Sequence, residues 1–420
     1  MKKSIDTIYV RDVLVAFLGV LVTFSCLIQR VFSLDAYFKL RWFFAVLILF
    51  ITITSLLIYS KASVSYNRIP FSGLIIFLLS SLISSYLNRA GYMLHVGIFS
   101  ALMIFDIYLV CLLSYKIGNI RLLCKSIFMC LCIVCMLNDI LCLISENFYG
   151  NGRFLLYSKF YASYLHIILV TLYGYLYEDS AKPRMRFYVL IGACIVIVNY
   201  LDCNTAVVGL LVIAFLSICP NAVTKKIMNP KFVIISILVL GSVLIAIDSI
   251  FESPLFRWIL TDIFGESTDL NSRRYIYESM GNIFQVKPFF GFGAENNFAA
   301  CQQYIRLNQY EAAPDVQNGL LDWVVSYGII GTLLALTFLY TSFKSVFTNQ
   351  KRCSFCRLRS VKWPTFLLYA FFLMGSVEIA FDILFFFSVI LFLYIGQCGN
   401  SRQETELPHD YQKRRKYIHA

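Results

Sequence analysis

Residues 92–115 read YMLHVGIFSALMIFDIYLVCLLSY, a run of 24 residues in which only Asp106 carries a formal charge. A helix needs about 20 apolar residues to cross the hydrocarbon core of a bilayer, so the run predicts a transmembrane helix. The whole chain has the same character: 59% of its 420 residues are apolar, 14% are charged, and the mean hydropathy is +0.73. This composition excludes a soluble enzyme, a disordered protein and a secreted domain held by disulfides.

Eleven further apolar runs of comparable length bring the predicted number of membrane spans to twelve. The last two share a tight turn, so eleven is the alternative count. The twelve predicted spans are Val10–Ile28, Trp42–Ser60, Pro70–Leu87, Tyr92–Tyr115, Leu122–Ser145, Ser158–Tyr177, Phe187–Leu201, Asn204–Cys219, Phe232–Ile250, Asn318–Phe343, Pro364–Val377 and Ile379–Gln397. The fold class predicted from them is an all-α polytopic membrane protein. The first run lacks a small-residue cleavage site and is read as a retained helix.

Lys and Arg residues predict the orientation, because their excess stays on the cytoplasmic side. With the N-terminus inside, 25 of the 36 basic residues fall on the cytoplasmic side and 11 on the other. Twelve spans return the C-terminus to the cytoplasm. The net charge of +12 is therefore explained mainly by topology, and no nucleic-acid partner is expected.

The predicted organisation has four parts: a nine-span bundle (1–250), a large outer loop (251–317), three C-terminal spans (318–397) and a basic cytoplasmic tail (398–420). The outer loop is 67 residues long and is predicted to hold short amphipathic helices. Ile276, Met280, Ile283 and Phe284 recur at helical spacing after a cap at Ser272, and Phe298, Cys301 and Ile305 do so after Asn296 or Asn297. These helices are expected to lie at the membrane surface.

Most of the 14 cysteines fall inside apolar runs and are expected to act as small hydrophobic residues. Cys353 and Cys356 form a CxxC pair, but no second pair or nearby histidine completes a zinc site. We expect no metal and no cofactor. The loop also contains no histidine that could serve as a base.

Two arginines in the loop are the first candidates for a functional site. Arg273 and Arg274 occupy the predicted first turn of a helix, where the helix dipole disfavours positive side chains. An anion bound at the free N–H groups of that turn would explain the placement, and arginine suits bidentate contacts with phosphate. The alternative is that both pair with Glu266 or Asp269, or with lipid headgroups.

Other polar residues of the loop could contact a sugar. Tyr277 shares a helix face with Arg273 and could stack on a sugar or an isoprene unit, or be simply interfacial. Gly291 and Gly293 predict a tight reversal after Pro288. Arg306 could form hydrogen bonds with phosphate. The remaining candidates can form hydrogen bonds with hydroxyl groups of a sugar: Glu295, Asn296, Asp315, Gln317, Asn318 and Asp322.

The order of these motifs resembles the O-antigen polymerase and ligase family. The similarity runs from Asp269 to Gly331 and lies in Ser272-Arg273 with Tyr277, Pro288 before Gly291-Phe292-Gly293, Gln317-Asn318-Gly319-Leu320, and Tyr327-Gly328-Ile329-Ile330-Gly331. The resemblance implies a bacterial inner-membrane glycosyltransferase that uses glycans carried on polyprenyl diphosphate. It implies that Arg273 engages the diphosphate, and it aligns Asn318 and the glycine pair with the family's own motifs.

The leading hypothesis is a polymerase of polysaccharide repeat units for O-antigen, capsule or exopolysaccharide, with its site facing the periplasm or exterior. Arg273, assisted by Arg274 or Arg306, would stabilise the leaving diphosphate, and Asp315, Glu295 or Asp322 would activate the attacking hydroxyl. Membrane lipids and the lipid-linked oligosaccharide are the expected partners, and a chain-length regulator is the protein partner that we consider.

Two alternatives stay open. A ligase would transfer the glycan to a lipid or protein acceptor, but Gln317 stands where ligase-type members commonly have histidine, and glutamine cannot accept a proton. Cys203-Asn204-Thr205 also departs from the family, where many relatives carry arginine. A flippase or secondary transporter would share the many spans, but it would more often show internal repeats and helices broken by glycine or proline at mid-membrane, and the sequence indicates neither.

Overall fold

The computed structural model describes residues 2–28, 35–59, 68–89, 93–145, 155–156, 158–177, 183–246, 271–294, 297–306, 310–351 and 356–397. In these residues it contains fifteen α-helices, one π-helical segment (Thr23–Leu27) and no β-strand. The helices are α1 (Lys2–Val22), α2 (Asp35–Ile58), α3 (Arg68–Leu87), α4 (Met93–Ile117), α5 (Ile120–Ile144), α6 (Lys159–Tyr177), α7 (Pro183–Tyr200), α8 (Asn204–Ile218), α9 (Asn221–Ile227), α10 (Pro230–Ala246), α11 (Asn271–Val286), α12 (Asn297–Tyr304), α13 (Gly319–Lys351), α14 (Cys356–Met374) and α15 (Ile383–Gln397).

Each of the twelve predicted spans coincides with one of these helices, and the fold is all-helical as expected. Within the described residues, six helices are long and apolar enough to cross a membrane by length and composition, namely α1 with its π-helical end, α2, α3, α4, α5 and α13. Five shorter apolar helices accompany them. The structure is thus consistent with a multi-pass membrane protein, while twelve spans and the orientation stay predictions.

Helix α15 forms the centre of the bundle. All fifteen of its residues are buried, and α4, α13 and α14 pack around it. By contrast, α2 leaves Phe43, Phe50 and Leu57 between 61% and 70% exposed along one face. A helix that is apolar all round is a buried one, whereas an exposed apolar stripe on a bundle suits contact with lipid.

The starts of the last two helices differ from the predicted ones. The predicted turn between the last two spans is an eight-residue connection, and α15 begins at Ile383 because Asp382 accepts a hydrogen bond from the N–H of Leu384 at 2.9 Å. Helix α14 already begins at Cys356, so Pro364 lies inside the helix and does not start it.

The large loop has a small hydrophobic core of its own. Ile276, Met280 and Ile283 of α11 are buried there, as their spacing predicts. Phe284 and Phe298, which recur at the same helical spacing, are exposed at 36% and 59%. Other members of this loop core are Phe292, Ala300, Cys301, Ile305, Ala313, Val316 and Val325, with Tyr277, Tyr304, Leu321 and Ile379 packed against it.

The loop core joins separate parts of the chain. Val325 and Leu321 belong to α13, and Ile379 belongs to the connection between α14 and α15. Helices α11 and α12 are therefore docked on one end of the bundle, which we call the loop end.

Candidate functional site

Helix α11 carries the two candidate arginines in its first turn. The helix begins at Asn271, so Ser272 lies within the helix and is not the residue that precedes it, as the sequence had indicated. The structure describes the backbone of Arg273 and Arg274, whereas their side chains lie outside the described residues, as do Glu266 and Asp269. Because the first N–H groups of a helix have no partner within it, this turn retains the anion-binding potential that motivated the prediction.

Tyr277 packs its ring against the loop core, and its hydroxyl oxygen is buried. The residue as a whole is half-buried, so packing against the loop core accounts for part of the ring, and the stacking of the ring on a sugar or an isoprene unit stays a prediction. Arg306 is exposed; its N–H donates to the Ser279 Oγ of α11 at 3.2 Å, and its backbone pairs with Ala312 in an isolated β-bridge. Glu295 and Asn296 lie outside the described residues.

The glycine pair forms the predicted reversal, and the structure shows what it serves. Gly291 and Gly293 have φ of +62° and +100°, a region that favours glycine. A Cβ atom on Gly291 would lie 2.5 Å from the backbone nitrogen of Gly328. The segment 287–294, which we call the inserted segment, therefore contacts the backbone of α13 directly.

Helix α13 is broken at Gly328, where φ is +67° and ψ is −175°. In an unbroken helix the carbonyls of Val325 and Ser326 would accept bonds from residues four positions later. Hydrogen bonds with the inserted segment replace the missing ones. The N–H groups of Phe292 and Gly293 donate to the carbonyls of Val325 and Ser326 at 2.8 and 2.9 Å. The N–H groups of Ile329 and Ile330 donate to the carbonyls of Pro288 and Phe289 at 2.9 and 3.2 Å. The sequence did not indicate this break.

Helix α3 holds the inserted segment from the other side. Ser84 Oγ donates to the carbonyls of Phe290 and Ser326, and Asn88 Nδ2 donates to the carbonyl of Gly291 at 3.1 Å. Lys287 Nζ donates to Asn88 Oδ1. Partial burial lowers the pKa of the Lys287 ammonium below its usual value. Sequence reasoning missed these residues, because isolated Ser and Asn at the end of an apolar helix give no distinctive signal.

The start of α13 contains the polar cluster that the sequence singled out. Asn318 is completely buried and its amide is fully used by the protein. Its Nδ2 donates to the carbonyls of Gly241 and Ser376 at 2.9 and 3.2 Å, and its Oδ1 accepts from the N–H groups of Leu320 and Leu321 at 3.0 and 3.1 Å. An amide has two donor and two acceptor positions, so Asn318 acts as a helix cap and a tie, and the structure does not favour the predicted contact with substrate.

Two carboxylates flank this cap. Asp315 is half-buried, and its Oδ1 accepts from the N–H of Gln317 at 2.9 Å, which holds Gln317 at a φ of +47°. Asp322 is 8% exposed in the first turn of α13, where the helix dipole favours a negative charge, and its Oδ1 accepts from Asn297 Nδ2 at 2.6 Å. Burial raises the pKa of Cys301 to about 12, with the nearby carboxylates of Asp322 and Asp315 adding to the effect.

The connection between α14 and α15 completes the site. The N–H of Gly319 donates to the carbonyl of Gly375 at 2.7 Å, and Trp323 Nε1 donates to the carbonyl of Phe381 at 2.8 Å. These bonds fix the start of α13 against the connection that carries Glu378 and Asp382. The loop end thus brings together the arginine-bearing helix α11, Asp315, Asp322 and the carboxylates of this connection.

Fold and site together define a helical membrane protein whose polar site lies where a helical loop docks on one end of the bundle. Residues 187–336, from α7 to the middle of α13, match the model of a family described as O-antigen ligase. No curated protein matches the chain. The resemblance found in the sequence is confirmed for this segment, and it supports a membrane enzyme of the O-antigen ligase or polymerase type that transfers glycans.

Proposed function

We propose that this protein is a polymerase that joins polysaccharide repeat units carried on polyprenyl diphosphate at the outer face of the bacterial inner membrane. In this proposal the chain has the predicted twelve spans, which put the loop end outside and both termini in the cytoplasm. The family match supports glycan transfer on a lipid-linked substrate. The observation that carries the proposal is the docking of α11, with two arginines in its first turn, beside the carboxylates at the start of α13.

In the proposed reaction, the terminal hydroxyl of the acceptor glycan attacks the anomeric carbon of the donor glycan. A carboxylate takes the hydroxyl proton, the new C–O bond forms, and the bond from the anomeric carbon to the diphosphate oxygen breaks. Each carboxylate has one oxygen bonded, Asp315 to the N–H of Gln317 and Asp322 to Asn297. Asp315 is better suited as this base, because it is half-buried whereas Asp322 is 8% exposed. Glu295 stays a third candidate.

The diphosphate leaves with the electron pair and carries negative charge that fixed cations stabilise. Arg273 takes this role, with Arg274 or Arg306 assisting. The first turn of α11 adds its N–H groups to the same anion site. A diphosphate is a good leaving group, so the mechanism uses neither a nucleotide nor a metal ion.

The structure bears on both alternatives. Gln317, at the position where ligase-type members commonly carry histidine, has its backbone held by Asp315, and its amide cannot accept a proton as a base. The break at Gly328 is a feature of transporters. Here, however, the four backbone groups that the break would leave open bind the inserted segment and are not available to an ion or a substrate. We therefore favour polymerase over ligase and flippase.

Replacing Arg273 tests the proposal in cells that depend on this gene for long glycan chains. We expect Arg273→Ala to abolish long chains while single repeat units accumulate on the lipid carrier, as seen by gel electrophoresis of the glycan and extraction of the carrier. Removing one interaction to a charged transition state costs about 3 kcal/mol, roughly a hundredfold in rate.

Arg89→Ala is the matched control, because Arg89 is an exposed arginine at the end of α3 whose contacts are with Tyr86. Chains of normal length in the Arg273→Ala strain would disprove the role of Arg273. Loss of long chains in both strains would show that removing any positive charge, or a general folding defect, causes the loss, and that it is not specific to Arg273.

A further inference from the structure

Asp106 is a buried acidic side chain that the proposed reaction does not use. It lies near the middle of α4 and is 0% exposed. At about 1.5 Å per residue, each end of α4 is roughly 16 to 20 Å away, so Asp106 lies close to the centre of the bilayer. Within the described residues, neither of its carboxyl oxygens has a hydrogen-bond partner. Buried carboxylates are normally paired with a cation or hydrogen-bonded, because an isolated buried charge is costly.

The helices around Asp106 carry very few cations. Helices α1, α2, α3, α5 and α15 and the π-helical segment pack on α4. The parts of these elements, and of α4 itself, that contain no lysine, arginine or histidine are residues 13–27, 42–58, 69–85, 96–115, 126–138 and 383–397. The neighbouring spans therefore hold no cation in their middle parts that could pair with the carboxylate.

Arg41 of α2 is a buried cation that does contact α4, but it binds other groups there. Its Nε donates to the carbonyl of Ser25 at 2.8 Å, and its Nη2 donates to Met103 Sδ at 3.0 Å. Its guanidinium lies 5.0 Å from the ring centre of Phe99. Phe99 and Met103 precede Asp106 by one to two helical turns, so Arg41 lies toward the start of α4.

The other titratable groups that face this part of α4 also bind elsewhere or pack on rings. Cys26 of the π-helical segment donates its Sγ proton to the carbonyl of Met103 at 3.8 Å. The ring of Tyr394 on α15 packs against Tyr108, with 5.3 Å between the ring centres. These contacts and those of Arg41 leave the Asp106 carboxyl group to be neutralised by a proton or by an ion from solution.

The surroundings of Asp106 favour a proton over a metal ion. A metal ion such as Ca²⁺ or Mg²⁺ takes six or more oxygen ligands. The π-helical segment next to α4 is irregular backbone, but its carbonyls at Ser25 and Leu27 already accept from Arg41 and from the Tyr161 hydroxyl. Within the described residues, no group of three acidic, histidine or cysteine side chains is arranged to hold a metal ion.

We propose that Asp106 is a proton-binding site in the centre of the membrane bundle, where it is held as a neutral carboxylic acid and exchanges its proton with solvent. On release, the O–H bond breaks, its electron pair stays on the carboxyl oxygen, and the proton passes to water. Ionisable residues inside membrane spans mark proton relays and ion pathways, and π-helical turns are frequent at functional sites. The site lies far from the loop end and does not depend on the proposed function.

Infrared spectroscopy of the full-length protein in lipid nanodiscs at neutral pH tests this assignment. A protonated carboxyl group has a C=O stretching band that is separate from the bands of carboxylates and backbone amides, and the band shifts in D₂O. The variant is Asp106→Asn, which replaces a neutral acid by a neutral amide of the same shape. The control is Asp202→Asn, which removes an exposed carboxylate paired with Lys159. Aspartate labelled with ¹³C identifies the band in the wild type, even if the variant does not fold.

We expect the wild type to show an aspartic acid band that shifts in D₂O, that Asp106→Asn loses and that Asp202→Asn keeps. Asp106→Asn should also unfold at a temperature no lower than the wild type, because a neutral acid leaves no charged partner behind.

Three results would overturn the proposal. The first is a wild type without an aspartic acid band, or with one that Asp106→Asn retains. The second is a band that does not shift after prolonged incubation in D₂O, which would show a buried acid that exchanges no proton. The third is a wild type that is stabilised by sodium chloride but not by choline chloride, with the difference lost in Asp106→Asn, which would show a sodium site.

Discussion

Asn318 shows how a single side chain can tie together the elements that form a site. Its four hydrogen bonds link α10, the connection between α14 and α15, and the first turn of α13. The family resemblance drew attention to this residue. A sequence motif alone cannot distinguish a residue that binds substrate from one that positions the residues that do.

Asn318→Ala distinguishes the two roles. We expect the variant to be destabilised by about 3 kcal/mol, because a helix cap is lost and buried backbone groups are left without partners. The measurement is thermal unfolding in detergent. Asn282→Ala is the control, since Asn282 makes an exposed bond of 3.4 Å to the Tyr304 carbonyl. An Asn318→Ala protein of normal stability that lacks activity would instead indicate a contact with substrate.

The glycine turn shows which features of the site a sequence can reveal and which it cannot. The glycine turn was predicted, because only a left-handed reversal explains Gly291 and Gly293 so close after Pro288. The partners of that turn were not predicted. Ser84 and Asn88 lie about 200 positions earlier in the chain, and nothing in their local sequence indicates a bond to residues 290 and 291.

Helices were predicted better than their ends and their breaks. Hydropathy located α4 and α5 within a few residues, since burial of about 20 apolar residues leaves a clear pattern. The break in α13 left no such pattern. Gly328 and Gly331 were noted only as part of the family motif, and the structure shows that Gly328 leaves the helical conformation.

Gly328→Ala tests this element. The residue has a positive φ, and a Cβ atom there would overlap with the Phe289 carbonyl. We expect the variant to lose at least about 2 kcal/mol of stability from backbone strain and displaced contacts, measured as a lower midpoint of thermal unfolding.

Gly281→Ala on α11 is the matched control, because a Cβ atom there meets no atom within 4 Å. It should be neutral or slightly stabilising, since alanine favours a helix over glycine by about 1 kcal/mol. Equal stability of both alanine variants would contradict the described contact between the inserted segment and α13.

At the scale of the whole molecule, the basic residues carry two kinds of information. The 25 predicted to be cytoplasmic orient the bundle, and of the 11 on the other side five lie in the large loop. Composition could indicate a membrane protein and its orientation. It could not show that the loop docks through its own core onto α13 and Ile379, because that core combines residues from parts of the chain separated by tens of positions.

Labelling with a membrane-impermeant maleimide on intact spheroplasts tests the orientation. Tyr310→Cys, at an 89% exposed position of the loop, should be labelled without lysis. Lys226→Cys, at an exposed position of α9, should be labelled only after lysis. The parent protein with its native cysteines gives the background. The opposite pattern of labelling would invert the topology and remove the site from the outer face.

Glycan transfer by the purified protein is the most direct test of polymerase activity. The full-length protein in nanodiscs is supplied with its polyprenyl-diphosphate repeat unit, without nucleotide and without added metal ions, and the products are separated on a gel. We predict a ladder of glycans that differ by one repeat unit, with release of polyprenyl diphosphate, and no ladder with Arg273→Ala. Polymerase activity would be contradicted if folded wild-type protein left the repeat units unchanged. It would also be contradicted if a single unit were transferred to a lipid acceptor and no ladder formed.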